Sequence, residues 1–328
     1  MKTSPILEVR NLKTYFHTYV GVVKAVDGVS FKLHPGETLS FVGESGSGKS
    51  ITNLSIIRLI PSPPGKIVAG EVFFKGEDVF AKSEREMCRL RGRRISMIFQ
   101  DPMTCLNPLL RVSSQMTETI HLHQGLDKRE ATEKSVEMIK MVGIANPERW
   151  MNAFPHQLSG GMRQRIMIAM ALSCKPEILI ADEPTSALDV TIQAQILDII
   201  GKLSVKMNTA VIMITHDLGV VARMSDQVCV MYAGRIVEMA PVLTLFEDPK
   251  HPYTWGLMKS VPRLDMDDQG RLFSIQGSPP HLIGMPECCR FYPRCANATD
   301  ICRHEYPPET DLGSGHRVNC WLYGKEER

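Results

Sequence analysis

The sequence predicts an α/β fold built around a mostly parallel sheet, and two observations support this prediction. The runs 178–181 and 210–214 are apolar at every position, and helical stretches lie between them. Strands that are apolar on both faces belong to parallel sheets covered by helices on both sides. The second observation is a glycine-rich loop at 43–50, which follows a strand-like run at 38–42 and precedes a helix predicted from Ile51. A strand, a loop and a helix in this order are the repeating unit of such folds.

The remaining elements follow the same mixture of apolar runs and helical periodicity. Between about 101 and 155 the pattern is helical, most clearly from 128 to 142, and this predicts a helical subdomain. A further helix runs from 159 and is ended by Pro176. Other short apolar runs predict strands, the last two forming an antiparallel hairpin, at 6–9, 30–33, 70–74, 95–99, 225–232 and 235–238.

Length and composition limit the classes of protein that the chain can belong to. Its 328 residues allow two or three domains, and we expect a main domain at 1–245 and a C-terminal segment, residues 246–328, rich in proline, cysteine and polar turns. A net charge of +2 argues against a general nucleic-acid coat. Glu8 interrupts the region where a signal peptide would be apolar, and no uncharged apolar run approaches the ~20 residues that span a bilayer. We therefore expect any action on a membrane to pass through another protein.

Residues 43–50, hereafter the phosphate loop, have the glycine, lysine and serine spacing of a nucleotide site. Glycines let successive N–H groups turn inward around a phosphate, and the start of the following helix adds its dipole. Lys49 would reach the outer phosphates, and the Ser50 hydroxyl can bind magnesium. The residues expected at this site are Gly43, Ser45, Gly46, Gly48, Lys49, Ser50 and Ile51.

Polar side chains follow three of the predicted strands where the strands end. Asp182 and Glu183 follow the run 178–181, and in ATPases with a phosphate loop the first holds magnesium while the second orients or deprotonates water. Gln100 follows the strand 95–99, and His216 comes soon after 210–214. A lone histidine is usually an ordinary surface or core residue, but α/β sheets bind ligands at the carboxyl ends of their strands.

A turn containing Ser159, Gly160 and Gly161 precedes a long helix and predicts a second anion site. The serine hydroxyl, free N–H groups and helix dipole all favour negative charge. The alternative is a capped helix whose glycines only allow close packing. The position of the turn, between the helical stretch and the Asp182 strand, favours the anion site.

This set of motifs resembles the ATP-binding cassette (ABC) ATPases over about residues 5–245. The resemblance implies ATP and Mg²⁺ as ligands, with Ser50 and Gln100 on the metal, Glu183 as the catalytic base and His216 as the switch histidine. It also implies an aromatic side chain stacked on adenine, for which Phe16 fits best and Tyr15 and Tyr19 are rivals. The corresponding family motifs are Walker A at 43–50, the Q-loop at Gln100, the signature at 158–164 with Gln164, Walker B at 178–182 and the D-loop at 186–189 with Asp189.

The same resemblance implies a head-to-tail pair of ATPase chains. The signature residues of one chain would cap the γ-phosphate held by the other, and hydrolysis would open the pair. The expected partners are a related but different ATPase chain, two transmembrane permease subunits docked on the Q-loop and helical subdomain, and an external binding protein. The chain would lie at the cytoplasmic face of the membrane.

The C-terminal segment is similar to that of the oligopeptide, dipeptide and nickel importer ATPases. The likeness rests on His251-Pro-Tyr253, then Ser278-Pro-Pro, and the runs 291–295 and 316–320. It implies a peptide importer, with nickel as an alternative. The solute itself is chosen by the external binding protein and the permease.

Cys289, Cys295, Cys302 and Cys320 form a series that suggests a metal centre. The close cysteine pairs typical of zinc are absent, and looser spacing suits an iron–sulfur cluster. The importer subfamily implies a 4Fe–4S cluster, while zinc or free thiols remain alternatives. Cys288 adjoins Cys289, so either residue can be the ligand, and Cys289 fits the following residues better. The other cysteines, Cys88, Cys105, Cys174 and Cys229, are expected to be buried thiols.

Two further functions are weighed against the importer. Soluble ABC ATPases that act on DNA or ribosomes usually insert a long coiled coil or fuse two cassettes, and neither is present in this sequence. A non-catalytic regulatory cassette is opposed by the intact Glu183 and His216. We therefore expect no nucleic-acid partner.

Overall fold

The computed structural model describes residues 4–101, 105–186, 188–260 and 274–324. The chain divides into two compact units: the first is Met1–Pro5, Leu33–Thr38 and Ala81–Ile214, and the second is Ile6–Lys32, Leu39–Phe80 and Thr215–Arg328. The division into 1–245 and 246–328 stays a prediction from the sequence.

The first unit contains three parallel strands that carry the predicted catalytic residues. β6 (Ile95–Ile98), β7 (Ile178–Asp182) and β8 (Ala210–Ile214) pair in this order. Every residue of β7 and β8 is buried, as expected of strands covered on both faces. The parallel pairing brings the carboxyl ends of these strands to one edge of the sheet, which confirms the predicted core.

The first unit contains the predicted helical stretch, and its helix at Gly160–Leu172 packs against β6. Ala131, Met138 and Ile139 are buried on one helix, which explains its periodicity. Asp127 begins that helix with a capping box, accepting from Glu130 N–H while the Glu130 side chain accepts from Asp127 N–H. The helices are α2 (Glu84–Leu90), α3 (Val112–Gln124), α4 (Lys128–Met141), α5 (Pro147–Met151), α6 (Gly160–Leu172) and α7 (Val190–Met207).

The second unit begins with a four-stranded antiparallel sheet in the order β2-β1-β4-β5. The first strands are longer than the sequence predicted, because residues 13–18 of β1 and 21–25 of β2 form no continuous apolar run and most of them are not fully buried. The strands are β1 (Leu7–Thr18), β2 (Gly21–Leu33), β4 (Gly65–Phe74) and β5 (Glu77–Asp78).

A second sheet in this unit carries the phosphate loop at one of its strands. β3 (Thr38–Val42) lies parallel to β9 (Gln227–Tyr232), which forms the predicted hairpin with β10 (Arg235–Pro241). The hairpin turn needs positive φ at Ala233 and Gly234, with values of 48° and 85°. Two short strands extend the sheet beyond β10, namely β12 (Arg317–Val318) and then β11 (Thr310–Asp311).

The described part of the C-terminal segment packs into the core of the second unit. Tyr253 and Phe291 lie against Tyr232 of β9, with ring centroids 4.7 Å and 5.2 Å from that of Tyr232. All three rings are buried. The helices of this unit are α1 (Lys49–Ile56), α8 (Leu218–Met224), α9 (Val242–Glu247), α10 (Pro252–Lys259) and α11 (Ile301–His304).

The expectation that four scattered cysteines are buried is wrong for three of them. Cys229 is buried in β9, but Cys88 is exposed and Cys105 and Cys174 are partly exposed. On α2 the buried positions are Met87 and Leu90, so the intervening Cys88 faces outward. Within the described ranges, no helix combines the length and apolar character needed to cross a membrane.

Candidate functional site

The predicted site residues fall on both compact units, and each set is described within its own unit. The phosphate loop, in the second unit, uses backbone that favours glycine: Gly43, Gly46 and Gly48 have φ of 147°, 77° and 103°. A Cβ on Gly43 would lie 2.2 Å from Met231 O, and one on Gly48 would lie 2.4 Å from Ala25 O. The glycines are therefore required both by conformation and by close packing.

Lys49 places a buried ammonium group inside the phosphate loop. Its Nζ donates to the carbonyl oxygens of Gly43 and Glu44 at 2.7 Å and 2.9 Å, and to Ser47 Oγ at 3.3 Å. The residue is only 6% exposed. A cation fixed among loop oxygens at the start of α1 suits binding of a polyanion such as a nucleotide phosphate. The other predicted phosphate-binding residues stand beside it in the loop and in α1, namely Ser45, Ser50 and Ile51.

The three aromatic candidates for adenine stacking differ in their surroundings. Tyr15 donates its hydroxyl to Asp27 Oδ1 at 2.7 Å, and burial together with this bond raises the pKa of Tyr15 to about 12. Tyr19 is fully exposed in the turn between β1 and β2. Phe16 is half-buried, and a Cβ on Gly65 would lie 3.0 Å from its ring. Stacking by Phe16 stays a prediction.

In the first unit, a hydrogen bond joins Glu183, the predicted catalytic base, to Gln100, a predicted magnesium ligand. Gln100 Nε2 donates to Glu183 Oε2 at 2.9 Å, although the two residues are 83 positions apart. Glu183 has φ of 44°, an unusual backbone conformation for a side chain of this size, and its N–H donates to Ile214 O at 2.9 Å. Asp182, just before it in β7, is 5% exposed. Such a backbone conformation at the predicted catalytic carboxylate is compatible with a functional constraint.

The signature turn begins α6 as a capped helix. Ser159 Oγ accepts from Met162 N–H at 3.3 Å, and Ser159 and Gly160 are exposed. A Cβ on Gly161 would lie 3.0 Å from Ile192 Cγ2 of α7, so this glycine also permits close packing. Both sequence interpretations, the cap and the available N–H groups, are compatible with this geometry.

Gln164 is the signature residue that the structure turns inward. Its side chain is 1% exposed, and Nε2 donates to Pro184 O at 2.6 Å. It therefore connects α6 to the chain that follows Glu183. Its contribution to a nucleotide bound by a neighbouring chain stays a prediction.

The D-loop aspartate and the switch histidine stand at helix starts. Asp189 caps α7 by accepting from Ile192 N–H at 3.0 Å, and Ala187 of the same loop lies outside the described residues. His216 is exposed and immediately precedes Asp217, which caps α8. Both predicted residues are thus accessible at element ends.

The four predicted cysteine ligands line one small cavity of about 40 Å³. Burial raises the pKa of Cys289 to about 12 and that of Cys320 to about 11, and neighbouring thiols act in the same direction. Cys288 is buried but is not among the lining residues. Across the part of the chain that the structure describes, however, no group of three or more His, Cys, Asp or Glu side chains is arranged to hold a metal ion. The structure therefore does not confirm the predicted iron–sulfur or zinc centre.

The His-Pro-Tyr run has a structural role that its sequence alone did not reveal. His251 caps α10, with Nδ1 accepting from Tyr253 N–H at 3.1 Å, and burial lowers the pKa of His251 to about 3. Glu238, itself fully buried, accepts from the N–H groups of Lys250 and His251 at 2.7 Å and 2.8 Å and contacts His316 Nε2 at 2.8 Å. The Glu238 carboxylate of β10 thus links its own strand to residues 250–251 and to His316.

Two residues of the C-terminal segment, neither of them predicted as a site residue, contact the phosphate loop. Arg294 pairs with Glu44, and the Tyr253 hydroxyl accepts from Glu44 N–H. These partners are 250 and 209 positions away from Glu44. No local spacing signals such contacts, although an arginine next to Cys295 was visible in the sequence.

Comparisons with known proteins agree with this assembly of motifs. A family model described as "ABC transporter" matches residues 26–186, and one described as "Oligopeptide/dipeptide transporter, C-terminal region" matches residues 237–302. The oligopeptide transport ATP-binding protein OppD of Bacillus subtilis is 50% identical over 98% of this chain and 90% of its own. The dipeptide transport ATP-binding protein DppD of the same species is 50% identical over 97% and 94%.

Solved structures support the same fold. The ATP-binding cassette MJ0796, in a structure described as a dimeric post-hydrolysis state with ADP and phosphate, matches with a TM-score of 0.64 and 28% identity. The match covers 72% of this chain and 98% of the cassette. The predicted ABC ATPase fold is thereby confirmed. The chain belongs to the oligopeptide/dipeptide transporter family of ABC ATPases, as an ATP-binding subunit.

Proposed function

We propose that this chain hydrolyses ATP to drive uptake of oligopeptides or dipeptides, from the cytoplasmic face of the membrane. The observation that carries the proposal is the Gln100–Glu183 hydrogen bond of 2.9 Å at the end of β7. It holds a carboxylate in a fixed position beside the strand that ends in Asp182. A regulatory cassette without catalysis would have no need for this arrangement.

The phosphate loop would bind the nucleotide, and the residues around it fit that role. Lys49 supplies a buried positive charge, and the loop and start of α1 supply N–H groups for the phosphates. Phe16 is our choice for the adenine platform, since the Tyr15 hydroxyl is already bonded to Asp27. Binding by these residues orients the γ-phosphate for attack.

The magnesium ligands expected from the family resemblance, Ser50, Asp182 and Gln100, carry hydroxyl, carboxylate and amide oxygens, and oxygen donors are what this ion binds. Bound there, the ion would neutralise phosphate charge during hydrolysis. Glu183 would orient the attacking water and accept its proton, and His216 would contact the γ-phosphate. Gln100 would hold Glu183 in place through the observed hydrogen bond.

We further infer that the catalytic centre is shared between two chains. Ser159, Gly160 and Gly161 start α6 at an exposed position, and such a helix start can contact a neighbour's γ-phosphate. Asp189 at the start of α7 would help to form the same interface. The relative MJ0796 has been described as dimeric, which supports a paired arrangement. The second chain would be a related ATPase subunit.

Permease docking is supported by apolar side chains exposed after β6. Phe99 is 40% exposed, Leu109 82% and Leu110 41%. Phe99 immediately precedes the Q-loop residue Gln100, and Gln100 is bonded to Glu183, so a permease in contact with Phe99 would lie close in sequence to the proposed catalytic pair. Two permease subunits and an external peptide-binding protein complete the proposed importer.

We also propose that Cys289, Cys295, Cys302 and Cys320 hold a metal centre, with a 4Fe–4S cluster preferred over zinc. The support is the cavity that all four cysteines line and the affinity of cysteine thiolates for iron–sulfur clusters. Bound there, the group would cross-link a small part of the protein that has little core of its own.

Spectroscopy and metal analysis test this centre. Protein purified without oxygen should be brown and contain iron. Cys289→Ser should lose the metal, whereas the matched variant Cys288→Ser should keep it. A colourless protein that contains zinc would show that the cysteines hold zinc and not a cluster. A protein that contains neither metal would contradict the proposed metal centre.

Reconstitution tests the importer function. The chain, its partner ATPase and two permease chains in vesicles, with the binding protein, should show ATP turnover that peptides stimulate. Glu183→Gln should abolish the stimulated rate. Stimulation by nickel instead of peptides would change the solute class, and stimulation by nucleic acid or ribosomes would reject the importer.

A further inference from the structure

Glu44 is the second residue of the phosphate loop, and the C-terminal segment holds it at both side chain and backbone. Arg294 donates from Nη1 to Glu44 Oε2 at 2.7 Å and from Nη2 to Oε1 at 3.0 Å. The N–H of Glu44 donates to the hydroxyl oxygen of Tyr253 at 2.8 Å. Two positions outside the loop therefore fix this one residue.

The Arg294 side chain is itself well fixed. It is 5% exposed, and its partner Glu44 is 27% exposed. Nε donates to Gln276 O at 2.9 Å, and Nη1 also reaches the Tyr232 hydroxyl at 3.3 Å. The bond to Glu44 is the main cause that raises the pKa of Arg294, so the guanidinium stays charged. A two-bond pair in such a poorly hydrated place is more directional than a surface pair.

Glu44 connects this pair to Lys49. The Glu44 carbonyl oxygen accepts from Lys49 Nζ at 2.9 Å and from Ser47 N–H at 3.2 Å. A rotation of Glu44 would therefore displace an acceptor of the lysine that reaches the phosphates. The chain of contacts from Arg294 through Glu44 to Lys49 is continuous within the second unit.

The C-terminal segment borders the phosphate loop at a second place. Residues 279–283 and loop residues 44–47 line one cavity of about 290 Å³. The Leu282 carbonyl oxygen accepts from Lys24 N–H at 3.1 Å, which ties this stretch to β2. The C-terminal segment therefore lies next to the phosphate loop at this cavity as well as at the Arg294–Glu44 ion pair.

We propose that the C-terminal segment is a positioning clamp on the phosphate loop, with Arg294 as a positioning residue that acts through Glu44. The proposal rests on the assignment of this loop to the nucleotide. A loop ordered before the nucleotide arrives loses less conformational freedom on binding. Release of the clamp should therefore weaken nucleotide binding more than it slows hydrolysis at saturation.

Binding of the non-hydrolysable nucleotide AMP-PNP with Mg²⁺ to the full chain tests the clamp. Arg294→Gln should raise the Kd about tenfold, while kcat at saturating ATP in the assembled importer changes by less than about twofold. Glu44→Gln should raise the Kd similarly and leave the rest of the C-terminal segment in place. The matched control Arg317→Gln breaks another ion pair of the same segment, with Glu309, and should leave the Kd unchanged.

A double-mutant cycle separates positioning from general stability. The double variant with Glu44→Gln and Arg294→Gln should bind no more weakly than Arg294→Gln alone, because both changes break one interaction. If the losses of binding free energy in the two single variants add up in the double variant, the Arg294–Glu44 pair is not the cause of the weaker binding. If Arg294→Gln binds AMP-PNP as tightly as the parent, even with a lower melting temperature, the clamp is rejected but the assignment of the loop to the nucleotide is not. A parent chain that binds no nucleotide would overturn the loop assignment and the clamp together.

Discussion

Arg290 of the C-terminal segment forms a buried ion pair with Asp27 of β2, 263 positions away in the sequence. The two side chains are 2% and 1% exposed. Arg290 Nη1 also donates to Ala233 O at 2.5 Å, and Arg235 Nη2 donates to Asp27 Oδ2 at 2.9 Å. The C-terminal segment is thus joined to β2 beside the turn between β9 and β10. In that turn, Gly234 N–H donates to Ser47 O of the phosphate loop.

We predict that Asp27→Asn lowers the free energy of unfolding by about 3 kcal/mol, because two arginines lose the charge that compensates their burial. Burial alone would raise the pKa of Asp27, but the Tyr15 hydrogen bond and the charges of Arg290 and Arg235 outweigh it and lower the pKa to about 2. The carboxylate is therefore ionised at neutral pH. Urea denaturation of parent and variant measures the difference.

The matched control for this change is Glu309→Gln. Glu309 is 47% exposed and pairs with Arg317, so its loss should cost at most about 1 kcal/mol. Equal losses in the two variants would show that the buried pair contributes no more than a surface pair.

A second prediction concerns acid stability and His251. Burial lowers the pKa of this imidazole to about 3, well below its ordinary value of 6.5. Its stabilising contribution is therefore complete above about pH 6.5 and is lost as the pH falls toward 3, because only the unfolded chain takes up the proton. The expected loss is about 1.4 kcal/mol at pH 5.5.

His251→Asn isolates this contribution. Asparagine can still cap α10 by accepting from Tyr253 N–H, but it does not titrate. The difference in unfolding free energy between parent and variant should move in the variant's favour by about 1.4 kcal/mol between pH 7.5 and pH 5.5. A pH-independent difference would show that His251 is not the titrating group.

The sequence predicted the strand ends because local patterns encode them. An apolar run followed by Asp182 and Glu183 carries both the strand and its polar terminus within a few residues. The bond between Gln100 and Glu183 could be expected for the same reason, since parallel neighbours end at one edge. By contrast, the contacts of Arg294, Tyr253 and Glu238 join distant segments, and no residue spacing predicts which buried charge meets which partner.

A third prediction tests Lys49. Lys49→Ala removes the buried ammonium that the loop oxygens of Gly43 and Glu44 hold, and the Kd for AMP-PNP with Mg²⁺ should rise by about 100-fold or more. Equilibrium titration of the full chain measures this. Lys202→Ala is the control, because Lys202 is 75% exposed and pairs only with Asp198 among the contacts described. Unchanged affinity in Lys49→Ala would contradict the phosphate role of the loop.

The fourth prediction concerns Glu183 and the shared catalytic centre. Glu183→Gln keeps a side chain that can still bond to Gln100 but cannot accept the proton of water. Turnover of ATP by the assembled importer should therefore fall by about 10²–10⁴-fold while ATP binding is retained. Because the nucleotide then remains intact between two chains, the paired state should accumulate, which size-exclusion chromatography with ATP and Mg²⁺ detects.

Glu133→Gln provides the comparison, since Glu133 is 65% exposed on α4 and pairs with Arg129 one helical turn away. It should turn over ATP at the parental rate and show no accumulation of pairs. Parental turnover in Glu183→Gln would show that another group activates the water. Full turnover by a chain that remains monomeric throughout would contradict the shared centre, because the exposed serine and glycines that begin α6 would then have no neighbour's nucleotide to contact.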